Sequence, residues 1–147
     1  MTKNITFNRE MTLANMYGVA RYMPRSQQII GFDGDGYNPP YATGEAFTPI
    51  GLVLHWLGVD VEAIERTSAR HLALCGDEDC FICDEDNGGA DPSIYSKWVQ
   101  AMMVDTAGVS FTVGALDLLW SAETSGQPLW QWLEDQGKDV YRGKEPF

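Results

Sequence analysis

Apolar residues recur along this chain at three- and four-residue intervals, and the residues bracketing each such stretch are ones that start and stop helices. Leu13, Met16, Tyr17 and Ala20 share a helical face, with Asn8 placed to cap it and Pro24 to end it, so a first helix is expected from Asn8 to Met23. Asp60 caps a second pattern running to Leu74, in which Ile64, Ser68, His71 and Cys75 fall on one face. Asp91-Pro92 opens a third, with Tyr95, Trp98, Val99 and Met102 as its stripe and Gly108 near its end. Thr112 to Ser125 forms another. Pro128 starts a short last helix whose Leu129, Trp132 and Leu133 are expected to point inward and whose end is marked by Gly137.

A further helix emerges from an internal match. Gly44-Glu-Ala-Phe-Thr-Pro-Ile-Gly-Leu-Val-Leu-His-Trp56 aligns without a gap on Gly108-Val-Ser-Phe-Thr-Val-Gly-Ala-Leu-Asp-Leu-Leu-Trp120. With Thr48 and Thr112 as N-caps, Phe47 and Phe111 precede the cap and Leu52 and Leu116 sit at the fourth helical position, the spacing of a hydrophobic staple. Pro49 takes the first helical position, where a missing N–H is harmless. Trp56 and Trp120 follow one turn later, so each copy is expected to present a leucine and a tryptophan to the interior. Convergent capping and an ancient duplication both account for the match; its restriction to one helix start favours convergence.

Between Gln27 and Gly44 the periodicity gives way to glycine, proline and aromatics, Ile29-Ile-Gly-Phe-Asp-Gly-Asp-Gly-Tyr-Asn-Pro-Pro-Tyr41, which reads as a short strand or hairpin with an ordered loop. Asp33 and Asp35 have the opening offsets of a calcium loop, but its later oxygen ligands and closing glutamate are missing. The expected fold is therefore mainly α: one domain over 1–147, a compact bundle of five or six short helices with an irregular or hairpin segment at 27–44. A metal-stapled loop at 71–91 and a partly extended tail at 138–147 complete it.

Composition changes this picture little, whereas charge changes it more. The 147 residues, 44% hydrophobic and 12% aromatic, are enough for one real core. No apolar run reaches membrane-spanning length and Met1 to Glu10 lacks the apolar centre of a signal peptide, so a cytoplasmic protein is expected. The net charge of −11 is lopsided: residues 1–74 carry seven acids against six bases, and residues 75–147 carry fourteen against four. Asp77, Glu78, Asp79, Asp84, Glu85, Asp86 and Asp91 follow one another without an intervening lysine or arginine. Direct nucleic-acid binding through that half is disfavoured, because phosphate contacts need cations. A solvated acidic loop and a docking surface for a basic partner both fit.

Every cysteine and one of the two histidines lie in His71-Leu-Ala-Leu-Cys75-Gly-Asp-Glu-Asp-Cys80-Phe-Ile-Cys83. His71 and Cys75 are one helical turn apart and Cys80 and Cys83 form a two-residue clip, so four ligands of the type zinc selects can meet at one ion. Four protein ligands fill a tetrahedral sphere and leave no position for water or substrate, which makes the expected role structural. An iron–sulfur cluster would use the same ligand types, though four cysteines are its commoner set. A thiol-redox pair at Cys80 and Cys83 is opposed by the surrounding acids, which raise thiol pKa values. The plainest alternative is three small buried cysteines and a satisfied core histidine.

Companions for catalysis are lacking. The H-x-E and Pro-Cys-x-x-Cys spacings of zinc deaminases do not occur, nor does H-E-x-x-H, a nucleophile elbow or a P-loop. His55 on its helix reads as a core or rim residue. Of the five tryptophans, Trp56, Trp98, Trp120 and Trp132 fall on apolar stripes, leaving Trp130 for an exposed interface. The expected function is non-enzymatic: an acidic protein-binding module with structural zinc on His71, Cys75, Cys80 and Cys83. It would dock through Asp77, Glu78, Asp79, Asp84, Glu85, Asp86 and Trp130 on a basic surface, as an inhibitor or regulator of a nucleic-acid-handling protein. The alternative is a metal-dependent or thiol-redox enzyme built on the same cluster.

Overall fold

The computed structural model describes residues 4–30, 41–43, 45–74, 80 and 94–137. These form a mainly helical domain with six α-helices and two small two-stranded sheets. None of the described helices is long and apolar enough to cross a membrane.

The helices begin and end where side-chain chemistry dictates. α1 (Arg9–Tyr22) is capped by Asn8, whose Oδ1 accepts the Met11 N–H at 2.8 Å, and it stops before Pro24. α2 (Pro49–Trp56) is capped by the Thr48 hydroxyl on Gly51 N–H. α3 (Val61–Leu74) follows Asp60, whose carboxylate accepts from Ala63. α4 (Lys97–Ala107) ends on Gly108 at φ +66°, a left-handed turn where any other side chain would be strained. α5 (Val113–Glu123) is capped by Thr112 on Ala115 N–H, and α6 (Leu129–Asp135) follows Pro128.

α4 starts later than the sequence predicts. Its N-cap is Ser96, and Asp91-Pro92 lies outside the described residues. Ile94 and Ser96 are already buried there, so the approach to the helix belongs to the core. The expected tail at 138–147 also lies outside the described residues.

Strands join the helices in a way the periodicity does not reveal. β1 (Ile5–Phe7) pairs in parallel with β4 (Val109–Phe111), in the register Ile5 with Val109, Thr6 with Ser110 and Phe7 with Phe111. The facing hydroxyls of Thr6 and Ser110 meet at 3.0 Å, and the Phe7 and Phe111 rings lie 5.7 Å apart. Each strand runs straight into a capped helix, so α1 and α5 leave the pair in the same direction and pack on each other. β2 (Ala42–Thr43) and β3 (Ala46–Phe47) pair antiparallel, and Phe47 also bridges to Gln28. A hairpin is thus present, but at the very end of the expected 27–44 segment and beyond it; residues 31–40 lie outside the described ones.

One core runs through the domain. Met16, Val19 and Ala20 of α1 and Ile50, Leu52, Val53 and Leu54 of α2 meet Ile64 of α3, Trp98, Val99 and Met103 of α4, Leu116, Leu118 and Leu119 of α5, and Leu129, Trp132 and Leu133 of α6. The inward face of α5 is Ala115, Leu118, Leu119 and Ala122, which leaves Trp120 at its edge, 40% exposed. α2 is buried on all sides until its last turn emerges at His55 and Trp56, the latter 44% exposed. Both tryptophans therefore depart from the inward orientation expected of them. Instead each pairs with a tyrosine at the surface, Trp56 with Tyr22 and Trp120 with Tyr95.

The two matched segments, 44–56 and 108–120, share a strand, a threonine cap and a helix. Their strands take different partners, and their phenylalanines different ring neighbours: Phe47 stacks on His55 at 4.4 Å whereas Phe111 meets Phe7. The likeness is local to the helix start.

Candidate metal centre and buried acidic junction

His71 is in the last turn of α3, on the face that carries the buried Ile64 and Ser68. Across from it stands Cys80, half-buried, with its Sγ 3.6 Å from His71 Nδ1. Two ligands of one tetrahedral zinc, at bond lengths of about 2.0 Å to nitrogen and 2.3 Å to sulfur, stand about 3.5 Å apart. The separation of this pair is that of two zinc ligands. It is also that of an ordinary thiol–imidazole hydrogen bond, so the pair by itself fits either. Cys75 and Cys83, the other two expected ligands, lie outside the described residues, as do Asp77, Glu78, Asp79, Asp84, Glu85 and Asp86. Among the described residues there is no group of three or more potential ligands.

Trp130 is not the exposed tryptophan expected from the sequence. It packs against the core, with the Arg25 guanidinium carbon 4.2 Å above its ring centre and its backbone N–H donated to Gln28 Oε1. Its place at the second position of α6 sets it beside the end of α1 rather than in solvent. Gln28, 5% exposed, holds this junction: its Nε2 donates to the carbonyls of Ala20 at 2.9 Å and Met23 at 3.0 Å. No periodic signal marks Gln28, because it lies outside the helices and one of its partners, Trp130, is 102 positions away.

A second polar constellation also escaped the sequence reading. Glu123 closes α5 from inside the domain, 3% exposed, with Oε1 accepting the Ile50 N–H at 3.0 Å. Burial pushes its carboxyl up from 4.5 to about 7, against the pull of hydrogen bonds from Ile50 and Thr48. Tyr41 is equally buried, and desolvation, then the charges of Glu123 and Glu65, push its phenol far up. Glu65 Oε1 accepts the Ala42 N–H at 3.1 Å; burial raises its pKa while that bond and one from Tyr41 lower it. A signal for Glu123 did exist, since it sits one turn beyond Leu119 on the inward stripe of α5. A proton held near neutrality is what general acid–base chemistry uses, but this carboxyl is enclosed by Thr48, the start of α2 and the core, so its chemistry is structural.

The chain matches no protein-family model, no curated protein and no solved structure.

Proposed function

We propose that this protein is a non-enzymatic binding module in which a structural zinc ion, held by His71, Cys75, Cys80 and Cys83, fixes an acidic loop that docks on a basic surface of another protein. The gathering of His71 and all three cysteines into thirteen residues carries the metal half of this reading, and the 3.6 Å approach of His71 Nδ1 to Cys80 Sγ is compatible with it. The run of Asp77, Glu78, Asp79, Asp84, Glu85 and Asp86 supports the docking half, because three thiolates and a neutral imidazole leave a zinc centre with net negative charge that does not neutralise its acidic neighbours. Proteins that handle nucleic acids present basic surfaces of the required kind, and a domain occupying one acts as an inhibitor or regulator.

Two measurements test the two halves. Elemental analysis of the purified protein should give one zinc per chain, and cobalt substitution should give the thiolate-to-metal absorption of a tetrahedral site. Cys80→Ser and His71→Ala should each weaken metal retention; full retention by both would remove the site. For docking, the protein captured from cells at low salt is identified, and its association rate is measured against wild type and the Asp77→Asn, Glu78→Gln, Asp84→Asn, Asp86→Asn variant. The variant should associate more slowly and with a shallower salt dependence. Equal rates would discard the acidic surface.

A further inference from the structure

Glu123 ties together parts of the chain that are far apart in sequence. Its carboxyl accepts from Ile50 N–H, 73 positions away, and shares a hydrogen bond with the Thr48 side chain. Thr48 Oγ1 already accepts the Gly51 N–H, so what it offers Glu123 is its hydroxyl proton. The Thr48 N–H donates to the Tyr41 carbonyl at 3.0 Å, and the next residue, Ala42, is pinned by Glu65 of α3. One carboxyl thus links the end of α5 to the start of α2 and, through Thr48, to the strap at Tyr41–Thr43.

No cation among the described residues acts on it. Tyr41 is the titratable neighbour, with Glu65 acting on Tyr41 in turn. The other ionisable side chains on the elements packed against α5 turn outward or sit part-way: Arg9, Glu10 and Tyr22 of α1, His55 of α2, and Glu134 and Asp135 of α6 are exposed, while Tyr17 and Arg21 of α1 are half-buried. Asp117 of α5 itself is exposed and accepts from the Tyr95 hydroxyl.

We infer that this junction is a proton-operated latch: protonated Glu123 holds α5, the start of α2 and the Tyr41 strap together, and its ionisation loosens the strap and the first turn of α2. An anion in a dry site with two donors loses far more hydration than the neutral carboxyl does. The positive end of the α2 dipole favours the anion, but burial outweighs it. Because the closed-state pKa lies above the ordinary carboxyl value, the closed state is most secure below that ordinary value. It weakens as pH rises, until ionisation is complete above about 7.

The test is amide exchange at Ile50, Gly51 and Leu52 between pH 5 and 8, corrected for the intrinsic pH dependence of exchange. The opening constant should rise by roughly 50-fold over this range in the wild type and stay flat in Glu123→Gln, whose neutral amide still accepts the Ile50 N–H. Glu65→Gln should keep the rise. A flat wild-type profile, or the same rise in Glu123→Gln, overturns the latch. Should Glu123→Gln fail to fold, the 13C carboxyl titration of Glu123 in the wild type decides: a midpoint near 7 supports the latch and an ordinary carboxyl midpoint overturns it.

Discussion

Adding one methyl group at Gly51 is expected to destabilise the domain by about 2 kcal/mol, although the same change at two other helical glycines is expected to stabilise it. A Cβ at Gly51 would stand 2.1 Å from the Tyr41 carbonyl oxygen, 2.8 Å from its carbon and 2.9 Å from its Cβ. These atoms belong to the backbone and the root of a buried side chain, and they cannot swing aside. Relieving the overlap means displacing the Tyr41 strap, at about 1–3 kcal/mol for a tightly packed interior. It also stretches the Thr48 N–H bond to that carbonyl, a loss of about 1 kcal/mol, while alanine's better helix propensity returns up to about 1 kcal/mol. Among the described residues, a Cβ at Gly114 of α5 would meet only Arg9 Cβ, at 3.8 Å, and one at Gly18 of α1 would meet nothing within 4 Å. Alanine at either should add about 0.5–1 kcal/mol. Thermal and urea unfolding followed by circular dichroism at the helix band reads all three, with Gly51→Ala lowering the midpoint by roughly 6 °C. A Gly51→Ala midpoint at or above wild type would refute the close approach of the strap to α2.

Thr12→Val should raise stability by about 1 kcal/mol, because Thr12 is 1% exposed and its Oγ1 has no hydrogen-bond partner among the described residues; unchanged or lower unfolding midpoints would contradict this. Gln28→Ala removes its bonds to the Ala20 and Met23 carbonyls and from the Trp130 backbone N–H, and should cost about 2–3 kcal/mol, with the Trp130 fluorescence environment changing as α6 loosens from α1. Asn8→Ala should lose about 1 kcal/mol through the Met11 N–H, and Asn8→Ser should recover most of it. Chelation of the proposed zinc should increase exchange at the end of α3 while α1, α5 and α6 keep their protection, since their core does not pass through His71; global unfolding on chelation would show a deeper role for the metal.

What the sequence determined by itself is local. Asn8, Thr48, Asp60 and Thr112 act as caps because a short polar side chain reaches a backbone N–H two or three residues on, an interaction confined to neighbouring residues. Pro24 ends its helix because it has no N–H to donate and its ring crowds the residue before it, Gly108 and Gly137 end theirs through positive φ, and the stripe of Leu129, Trp132 and Leu133 is a matter of helical period. Of the proposed metal site, the sequence offered four possible ligands; His71 and Cys80 stand 3.6 Å apart, and Cys75 and Cys83 lie outside the described residues. Tertiary structure decided everything that depends on partners distant in the chain. Three-residue strands are too short to carry a period, so the parallel pairing of β1 with β4 shows only once α1 and α5 pack side by side. Helical period places Trp56 and Trp120 on a stripe, but which edge of that stripe meets the core is set by the neighbouring helices, and both emerged at the surface. Trp130 went the other way because Arg25 and Gln28, more than 100 residues earlier, close over it. Glu123 lies on the inward stripe of α5, but what it bonds there was decided by the fold, because its hydrogen-bond donors at Thr48 and Ile50 arrive only when α2 is laid against α5.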